Sequence, residues 1–590
     1  MTRYLFQASI GPVQDFIKSA RRTRDLWFGS IMLSEISKAV ARDIKESGGE
    51  LIFPHSDNLD SDLKYGSKFN VANVILAEYD NEETVKTASA KAKEAAENQW
   101  LSFVDEAYEI VKNYVIKDLW DCQKKKGVIE FYSAWYPYDD SSEAGYKNAR
   151  QQVKRLIDAR KNLRDFEQWD GKQGIPKSSL DGLRESVLID NKKPIITKLF
   201  KKKEGESLDL VGCVKRCSGG KTSFPSVVDI AVNPWLRRLA KDQYGLNMIE
   251  EIKSLCSTLD EKNIISRTEK NIFPYECHAL LPSRYKEIIQ EAEKTGKYKP
   301  HELAEIKATF KNIEEIISKM KKIHQFEAPY LAILSADGDK MGKAISKLKT
   351  PDQHREFSKR LSSFAKNAHN IVNNDHYGAC IYTGGDDVFA LLPVDEAVQC
   401  ARALYDLFAS LWEEGTEKPT LSVGIAIVHT LEDLELMREF AEKAEKLAKK
   451  GIKECKDENN DTERNALAIT VRARGNAEIH VREKWSNHQA SKPIDKRLQF
   501  WMERYARKEI PVRFAYELRK IADFYKEWSD DTISDAMKMD VLNTFKRKDI
   551  KLSEDDKKFV KEHIESQIKD SYKSIIELSN ELIIAQWLGG

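Results

Sequence analysis

The sequence predicts an α+β protein of several domains, and three observations support this class. Its 590 residues correspond to about four domains of average size. Between residues 330 and 450, strand-sized apolar runs and helix-periodic segments follow one another in the ferredoxin-like order β-α-β-β-α-β. After residue 486, apolar and charged residues alternate with a helical period. We therefore expect a mixed α+β unit that is followed by a helical C-terminal domain.

The composition excludes some classes of protein. The chain has 96 basic and 95 acidic residues, and its net charge of +1 excludes a simple polycation that coats nucleic acid. Its apolar runs are shorter than the roughly 20 residues that a bilayer requires, and the apolar run in the start, MTRYLFQASIG, is too short for a signal peptide. The eight cysteines form no C-x-x-C pair, which favours reduced thiols. We expect a soluble, cytoplasmic protein that contacts no membrane.

The first half of the chain contains two regions of different composition. Residues 4–10 form a strand-like apolar run, and a helix is predicted over residues 27–44. We predict a first domain over residues 1–170, because strand and helix patterns continue that far. Residues 171–325 are rich in Lys, Gly, Ser and Pro, which predicts a less regular middle domain that ends in a charged helix over 301–323.

The ferredoxin-like unit can be assigned element by element. Its predicted strands are Tyr330–Ala336, Ala379–Thr383, Val388–Leu392 and Leu421–Val428. Its predicted helices lie at 340–374, at 398–411 and at 434–450, and the last of them carries Lys449 and Lys450 in its final turn. We place this domain at residues 326–485 and the C-terminal helical domain at residues 486–590.

Acidic residues follow two of these strands. Asp337 and Asp339 end the first strand on either side of Gly338, and Asp386 and Asp387 lie in the turn GGDD between the second and third strands. Because the first and third core strands are neighbours in this topology, we expect three or four carboxylates to converge at one place.

A cluster of carboxylates requires a cation, because the negative charges repel and raise one another's pKa. Oxygen ligands of this kind select Mg²⁺ or Mn²⁺, which also bind substrate phosphates. Two such ions about 4 Å apart would activate a 3′-hydroxyl and stabilise a leaving pyrophosphate. Gly338, Gly384 and Gly385 lack side chains and would let backbone amides approach the phosphates. Either motif alone is ordinary turn chemistry, but their joint position on one unit favours a metal site.

Several segments resemble one protein family. They are IGPVQDFIKSARRTRDLWFGS, KNLRDFEQW, KSSLDGLRESVL, SFPSVVDIA, LSADGDKMGKAIS, IYTGGDDVFALLP and SVGIAIVH. Together they are similar to the large polymerase- and cyclase-like subunit of type III CRISPR effector complexes, of the III-B (Cmr) kind, over residues 1–480. The resemblance implies two ferredoxin-like palm domains that face each other, the first of them degenerate. It also implies synthesis of cyclic oligoadenylates from ATP, in antiviral defence, when the complex binds target RNA.

The resemblance also assigns roles to residues. It implies that Asp386 and Asp387 are the catalytic acidic pair and that Asp337 is the third metal ligand. The segments 10–12 and 26–30 would lie where two nucleotides bind between the palms. The triphosphate of ATP would be held by the backbone of Gly338, Asp339, Lys340 and Met341.

Two features of the family are expected to be missing. Many relatives carry an N-terminal HD nuclease domain, whereas this sequence contains no His-Asp dipeptide, so we expect no DNase activity. Relatives also often bind zinc through four cysteines, and the corresponding positions here are Ser178, Asp181, Leu210 and Cys213. A single thiolate cannot form a tetrahedral site, so we expect no zinc there. Another arrangement stays open, and it would use Cys213, Cys217, Cys256, Cys277 and His278.

Basic clusters indicate where RNA or partner subunits would bind. Residues 147–164 contain seven Lys or Arg and one Asp, and residues 192–203 contain six Lys and no acid. Such clusters are often only solvated helix faces, but the resemblance implies contacts with guide RNA, target RNA and the other subunits of the complex. Two further interpretations stay open. One is transfer of adenylate to a non-nucleotide acceptor such as S-adenosylmethionine, and the other is a catalytically silent scaffold subunit.

Overall fold

Two β-sheets form the centre of the molecule, and helical regions surround them. The computed structural model describes residues 2–139, 143–163, 171–189, 206–219, 224–268, 272–294, 296–326, 329–413, 418–450, 464–473, 478–486, 492–528, 533–547, 551–569 and 571–589. Within these ranges, no helix combines the length and the apolar composition that crossing a bilayer requires.

The first sheet has four antiparallel strands in the order β2-β3-β1-β4. Its strands are β1 (Thr2–Gly11), β2 (Glu50–Phe53), β3 (Val74–Tyr79) and β4 (Glu130–Asp139). The helices of this region are α1 (Gln14–Lys18), α2 (Thr23–Glu46), α3 (Leu59–Asp62), α4 (Glu82–Val111), α5 (Lys117–Lys125) and α6 (Glu143–Asn162). The ferredoxin-like fold that the family resemblance implied for the first domain is confirmed.

Successive apolar side chains of β1 point to opposite faces of the first sheet, and both faces are buried. Phe6, Ala8 and Ile10 are buried against α2 and α4, whereas Leu5 packs on the opposite face with Val153 of α6. The sheet is therefore the middle layer of three, and the helices shield its apolar side chains from water on both faces.

The middle region contains more helix than its composition predicts. A short helix α7 (Leu210–Cys217) packs its buried side chains into the core of the first sheet. The following helices form a core of their own, and they are α8 (Val227–Leu239), α9 (Gln243–Glu261), α10 (Tyr285–Lys294) and α11 (Pro300–Ile323). Burial of an apolar stripe on each helix outweighs the high content of Lys and Gly.

The second sheet has six strands in the order β10-β9-β8-β5-β7-β6. The strands are β5 (Tyr330–Asp339), β6 (Ala379–Gly384), β7 (Asp387–Leu392), β8 (Thr420–His429), β9 (Ala466–Val471) and β10 (Ile479–Lys484). Its helices are α12 (Met341–Lys347), α13 (Pro351–Asn370), α14 (Ala397–Ser410) and α15 (Leu434–Lys450). The predicted β-α-β-β-α-β unit is confirmed, and β9 and β10 extend it beyond the prediction, with β9 parallel to β8.

One predicted helix, 340–374, is divided in the structure. Helix α12 ends at Lys347, and α13 begins at Pro351 after a cap in which Thr350 accepts a hydrogen bond from the Gln353 backbone N–H. Thr at the cap and Pro at the first helical position both favour the start of a new helix. The prediction of one continuous helix was therefore wrong at this boundary.

Helices also cover both faces of the second sheet. Helices α13 and α14 lie on one face, and α15 lies on the other with α8 and with Ala20 and Leu26 of the first domain. The C-terminal helices share a core with the first of these faces. They are α16 (Ile494–Ala506), α17 (Arg513–Tyr525), α18 (Ser534–Arg547), α19 (Glu554–Gln567) and α20 (Tyr572–Gly589), which confirms the predicted helical C-terminal region.

Helix α13 joins the two sheet domains. Its Arg355 bonds Glu78 of β3 at 2.7 Å and the Leu51 carbonyl of β2 at 3.2 Å. One turn away, the Ser358 hydroxyl accepts a hydrogen bond of 2.9 Å from the His55 backbone N–H. The first domain is thus attached to the second through polar contacts at one side of a core helix.

Candidate metal centre

Three carboxylates meet where β5 ends beside the β6–β7 turn. Ligand oxygens of Asp337, Asp386 and Asp387 all lie within 4.8 Å of one another, and each side chain is half-buried. In the part of the chain that the structure describes, this is the one group of three or more acidic, His or Cys side chains that close together. The predicted convergence is therefore present for three of the four aspartates.

The turn that carries two of these aspartates depends on its glycines. Gly384 pairs with Asp387 in the ladder, so Gly385 and Asp386 form the turn between them. Gly385 has a φ of +66°, a left-handed conformation that Gly adopts without strain. A Cβ atom on Gly384 would lie 1.9 Å from the Tyr382 hydroxyl, so a larger residue would clash there.

The carboxylates destabilise one another's charged forms. Burial, followed by the nearby Asp337 carboxylate, raises the pKa of Asp386 to about 6, and backbone hydrogen bonds from Asp386 and Gly338 oppose this shift. Burial also raises the pKa of Asp387, together with a hydrogen bond to Asp337 and the charge of Asp386. The site therefore has an excess of negative charge that a divalent cation would neutralise.

The backbone after β5 lies directly against the acidic turn. A Cβ atom on Gly338 would lie 2.5 Å from Asp386 Oδ2, so the lack of a side chain at 338 allows this approach. Lys340 is exposed and takes a left-handed φ of +59° at the start of α12, whereas Met341 is buried. Such a φ is rare away from Gly and is often found at functional sites.

Asp339 does not join the cluster. Its buried carboxylate accepts hydrogen bonds from the hydroxyls of Thr420 and Ser422, both on β8, and from the Asn465 backbone N–H, at 2.8 to 2.9 Å. These donors satisfy the carboxylate without a metal ion. Asp339 therefore links β5 to β8 and to the residue that precedes β9.

Two residues that sequence reasoning did not assign to the site lie beside Asp337. The Lys449 ammonium donates a hydrogen bond to Asp337 Oδ2 and lies 2.9 Å from the carboxylate of Glu445, and both residues are on α15. The sequence does contain a signal for this contact, which is Gly424 in the middle of β8. A Gly within a strand is typical of a place where another backbone approaches closely.

The first domain also touches the acidic turn. The Asn70 side chain, on the connection between β2 and β3, donates a hydrogen bond of 2.9 Å to the hydroxyl of Thr383. Thr383 is buried and directly precedes Gly384. Of the two first-domain segments expected between the palms, Leu26 packs against the second sheet, whereas Ile10 is buried in the first core.

The basic clusters and the cysteines have the following positions. On α6, Lys147, Lys154 and Arg155 are exposed, whereas Arg150 bonds the Ile345 carbonyl of α12 at 2.8 Å. Residues 192–203 lie outside the described ranges. The cysteines that left a second zinc arrangement open are split between two cores, with Cys213 in the first and Cys256 and Cys277 in the middle helices; the expectation of no zinc stays a prediction.

Two families match this chain in separate regions. Residues 5–105 match the N-terminal part of the CRISPR-associated protein Cmr2, and residues 330–466 match the second palm domain of Cas10/Cmr2. The second match contains Asp337, Asp386, Asp387 and both residues of α15 that lie beside them.

One curated relative and two solved structures are similar to the chain. The CRISPR system Cmr subunit Cmr2 of Pyrococcus furiosus is 24% identical over 519 residues, which cover 72% of this chain and 57% of that protein. The chain thus spans a little over half the length of this relative. A chain of type III-B Cmr-beta in the apo state matches with a TM-score of 0.64 at 13% identity, over 99% of this chain and 81% of that chain. A chain of Cmr-beta bound to cognate target RNA matches with a TM-score of 0.60 at 14% identity, over 94% and 80%. These two likenesses establish the fold.

Proposed function

We propose that this chain, a member of the Cas10/Cmr2 family with the N-terminal domain and second palm domain of that family, is the nucleotidyltransferase subunit of a type III-B CRISPR effector complex. It joins ATP into cyclic oligoadenylate second messengers for antiviral defence when the complex binds target RNA. The observation that carries the proposal is the convergence of Asp337, Asp386 and Asp387 within 4.8 Å in the palm domain.

The donor set fits Mg²⁺ or Mn²⁺. All three side chains offer carboxylate oxygens, which are the hard ligands that these ions prefer. The raised pKa values of Asp386 and Asp387 indicate that their negative charge is under-compensated. Bound ions of this kind would lower the pKa of an attacking 3′-hydroxyl and neutralise the charge of a leaving pyrophosphate.

The residues of the chain supply position and space for the reaction. Asp337, Asp386 and Asp387 would hold the ions at the end of β5, and the backbone at Gly338 would face the triphosphate because no side chain intervenes. A 3′-oxygen then bonds to the α-phosphorus of a second nucleotide while the bond to the β-phosphate oxygen breaks. Pyrophosphate leaves, and the hydroxyl proton passes to solvent.

The proposal includes partners. They are the other subunits of the complex, the guide RNA and the target RNA. The exposed face of α6, with Lys147, Lys154 and Arg155, is a candidate contact for RNA phosphates or for a partner subunit, because residues 147–164 contain seven Lys or Arg and only one acid, Asp158. Omission of each partner from the experiment below tests this part.

The test is incubation of the assembled complex with labelled ATP, target RNA and Mg²⁺ or Mn²⁺, followed by identification of products by mass. We expect cyclic oligoadenylates from the native chain, and no product from the double variant Asp386→Ala with Asp387→Ala, because the acidic turn loses both ligands. A matched double variant, Asp535→Ala with Asp555→Ala, removes two exposed carboxylates of the C-terminal helices and should retain activity.

Other outcomes would contradict parts of the proposal. Product from the Asp386 and Asp387 double variant would refute the assignment of the site. An adduct that forms only when S-adenosylmethionine is added would show that the acceptor is not a nucleotide. An assembled native complex that yields no product with any of these substrates would be a silent scaffold.

A further inference from the structure

The end of helix α15 reaches into the carboxylate cluster. The Lys449 ammonium contacts Asp337 and lies 2.9 Å from Glu445 Oε1. The other oxygen of Glu445 accepts a hydrogen bond of 2.5 Å from the Ser335 hydroxyl on β5. The three side chains of this ion-pair group, Asp337, Glu445 and Lys449, are 28%, 19% and 24% exposed, so the charges are partly shielded from water.

A glycine in the sheet makes this approach possible. Gly424 of β8 is paired with Ser335 in the ladder. A Cβ atom on Gly424 would lie 2.1 Å from the Glu445 backbone nitrogen, so α15 rests directly on the backbone of the strand. Glu445 and Lys449 are therefore placed by main-chain packing and not by flexible side chains alone.

The side chains around Lys449 carry more negative charge than the one positive charge of its ammonium group. Lys449 contacts Asp337 and Glu445, and its positive charge also acts on Asp386. Glu445 in turn adds to the negative charge that acts on Asp387. The ammonium is bonded to Asp337 and Glu445, and these same hydrogen bonds keep its pKa raised although burial opposes this. The position that Lys449 takes on Asp337 is one that a divalent ion bound by the three aspartates would also use.

We propose that Lys449 is an exchangeable internal cation of the metal centre. It neutralises Asp337 while the divalent ion is absent and releases Asp337 when the ion binds, and Glu445 with Ser335 retains the displaced ammonium beside the site. The inference rests on the proposed function, because it requires a divalent ion at the three aspartates. Lys449 thereby competes with the ion and weakens its binding in the absence of nucleotide.

The test measures Mn²⁺ binding to the full nucleotide-free chain by the electron paramagnetic resonance signal of free Mn²⁺. Lys449→Met removes the competing charge with little change in volume, so we expect Mn²⁺ to bind about five to ten times more tightly. Lys450→Met is the matched control, because it removes the same charge at the next, exposed position; we expect a change of less than about twofold.

Thermal unfolding supplies a second readout. Without metal, Lys449→Met should unfold at a lower temperature than the native chain, because the carboxylates lose their internal counter-charge, and Mn²⁺ should remove the difference. The conservative variant Lys449→Arg keeps a cation on Asp337, so its Mn²⁺ binding should equal that of the native chain or be weaker.

Several results would overturn the inference. They are unchanged or weaker Mn²⁺ binding by folded Lys449→Met, an equal gain in Lys450→Met, and tighter binding by Lys449→Arg, which stays informative if the Met variant does not fold. These results differ from a failure of the proposed function. If the native chain bound no Mn²⁺ at all, the metal centre itself would be wrong.

Discussion

The first sheet and the inner four strands of the second sheet have the same order, since β2-β3-β1-β4 corresponds to β6-β7-β5-β8. They differ at the ends of the strands. In the second domain a two-residue turn joins β6 to β7, and β5 ends in acidic residues. In the first domain the connection between β2 and β3 runs from residue 54 to residue 73, and β1 ends in Ile10 and Gly11.

The difference shows that strand order alone does not create the site. A short turn brings Asp386 and Asp387 beside β5, and the long connection of the first domain has no such geometry. It extends instead to the second domain, where Asn70 bonds Thr383 and the His55 backbone N–H bonds Ser358. One domain thus carries the carboxylates, and the other supports the elements that present them.

The two domains also differ in how the helix after the fourth strand packs. Strand β4 meets α6 through side chains that include Tyr138, and it contains no glycine, whereas β8 meets α15 at Gly424. In Gly424→Ala, the new methyl would collide with the Glu445 backbone and displace α15. We expect a loss of about 3 kcal/mol in the free energy of unfolding, with weaker Mn²⁺ binding.

Urea unfolding measures this loss, and Gly342→Ala provides the control. A Cβ atom on Gly342 has nothing within 4 Å, and Ala is the better helix former, so this variant should be as stable as the native chain or up to about 1 kcal/mol more stable. If the free energy of unfolding of Gly424→Ala stayed within about 0.5 kcal/mol of that of the native chain, the close packing of α15 on β8 would not require Gly424.

The attachment of the first domain to the second can be weakened by a substitution of Arg355 on α13. This residue is the 2.7 Å partner of Glu78, which is 1% exposed and keeps Arg3 and Tyr138 as other partners. Arg355→Ala leaves a buried carboxylate with less compensation, so we expect a loss of about 2 to 3 kcal/mol in the free energy of unfolding.

A second contact between the same two domains is the control for Arg355. Lys359, also on α13, pairs with Asp57 at 2.5 Å, but both side chains are well exposed. Lys359→Ala should cost about 0.5 kcal/mol or less, because water screens such a pair. Equal losses in the two variants, measured by urea unfolding, would mean that burial of Glu78 is not what attaches the domains.

Acid should weaken the contact at His354. This buried residue of α13 bonds the Tyr146 hydroxyl of α6 at 2.7 Å, and burial together with Arg150 lowers its pKa to about 3. In the unfolded chain His354 takes up a proton near pH 6.5, whereas in the native chain it stays neutral. The contribution of neutral His354 to the free energy of unfolding is therefore present above pH 6.5 and is lost as the pH falls. Between pH 7 and pH 5 the loss should be about 2 kcal/mol.

Unfolding at the two pH values tests this sign and size. His354→Gln should lose about 2 kcal/mol less than the native chain over the same range, and His301→Gln, at an exposed position, should follow the native chain. A native chain that loses no more than His354→Gln would show that protonation does not act at this contact.

Much of the second domain could be predicted from the sequence. Apolar runs and helical periods located β5 to β8, and Gly385 with Asp386 marked the turn, because both signals are local in the chain. The convergence of Asp337 with the turn followed from the topology. The two-palm arrangement came from the family resemblance, and the domain boundaries stay predictions.

The rest depended on contacts between distant segments. Asp339 lies two residues after Asp337 at the end of β5, where a further metal ligand was expected, but the hydroxyls of Thr420 and Ser422 donate hydrogen bonds to its carboxylate. Glu445 and Lys449 reach the site because one strand position lacks a side chain. No local pattern states which helix will lie on that position, so these roles required the three-dimensional structure.

The two faces of helix α13 have a practical consequence for anyone who wishes to produce the domains separately. One face, with Phe364, is part of the second core, whereas the other supplies the cation for Glu78 and the ring that bonds Tyr146. A fragment that ends before α13 would leave Glu78 in an apolar setting with much of its counter-charge removed. Such a fragment should be poorly soluble, and a cut just after α13 would instead expose Phe364 with the rest of the second core, so the two sheet domains should be produced in one chain.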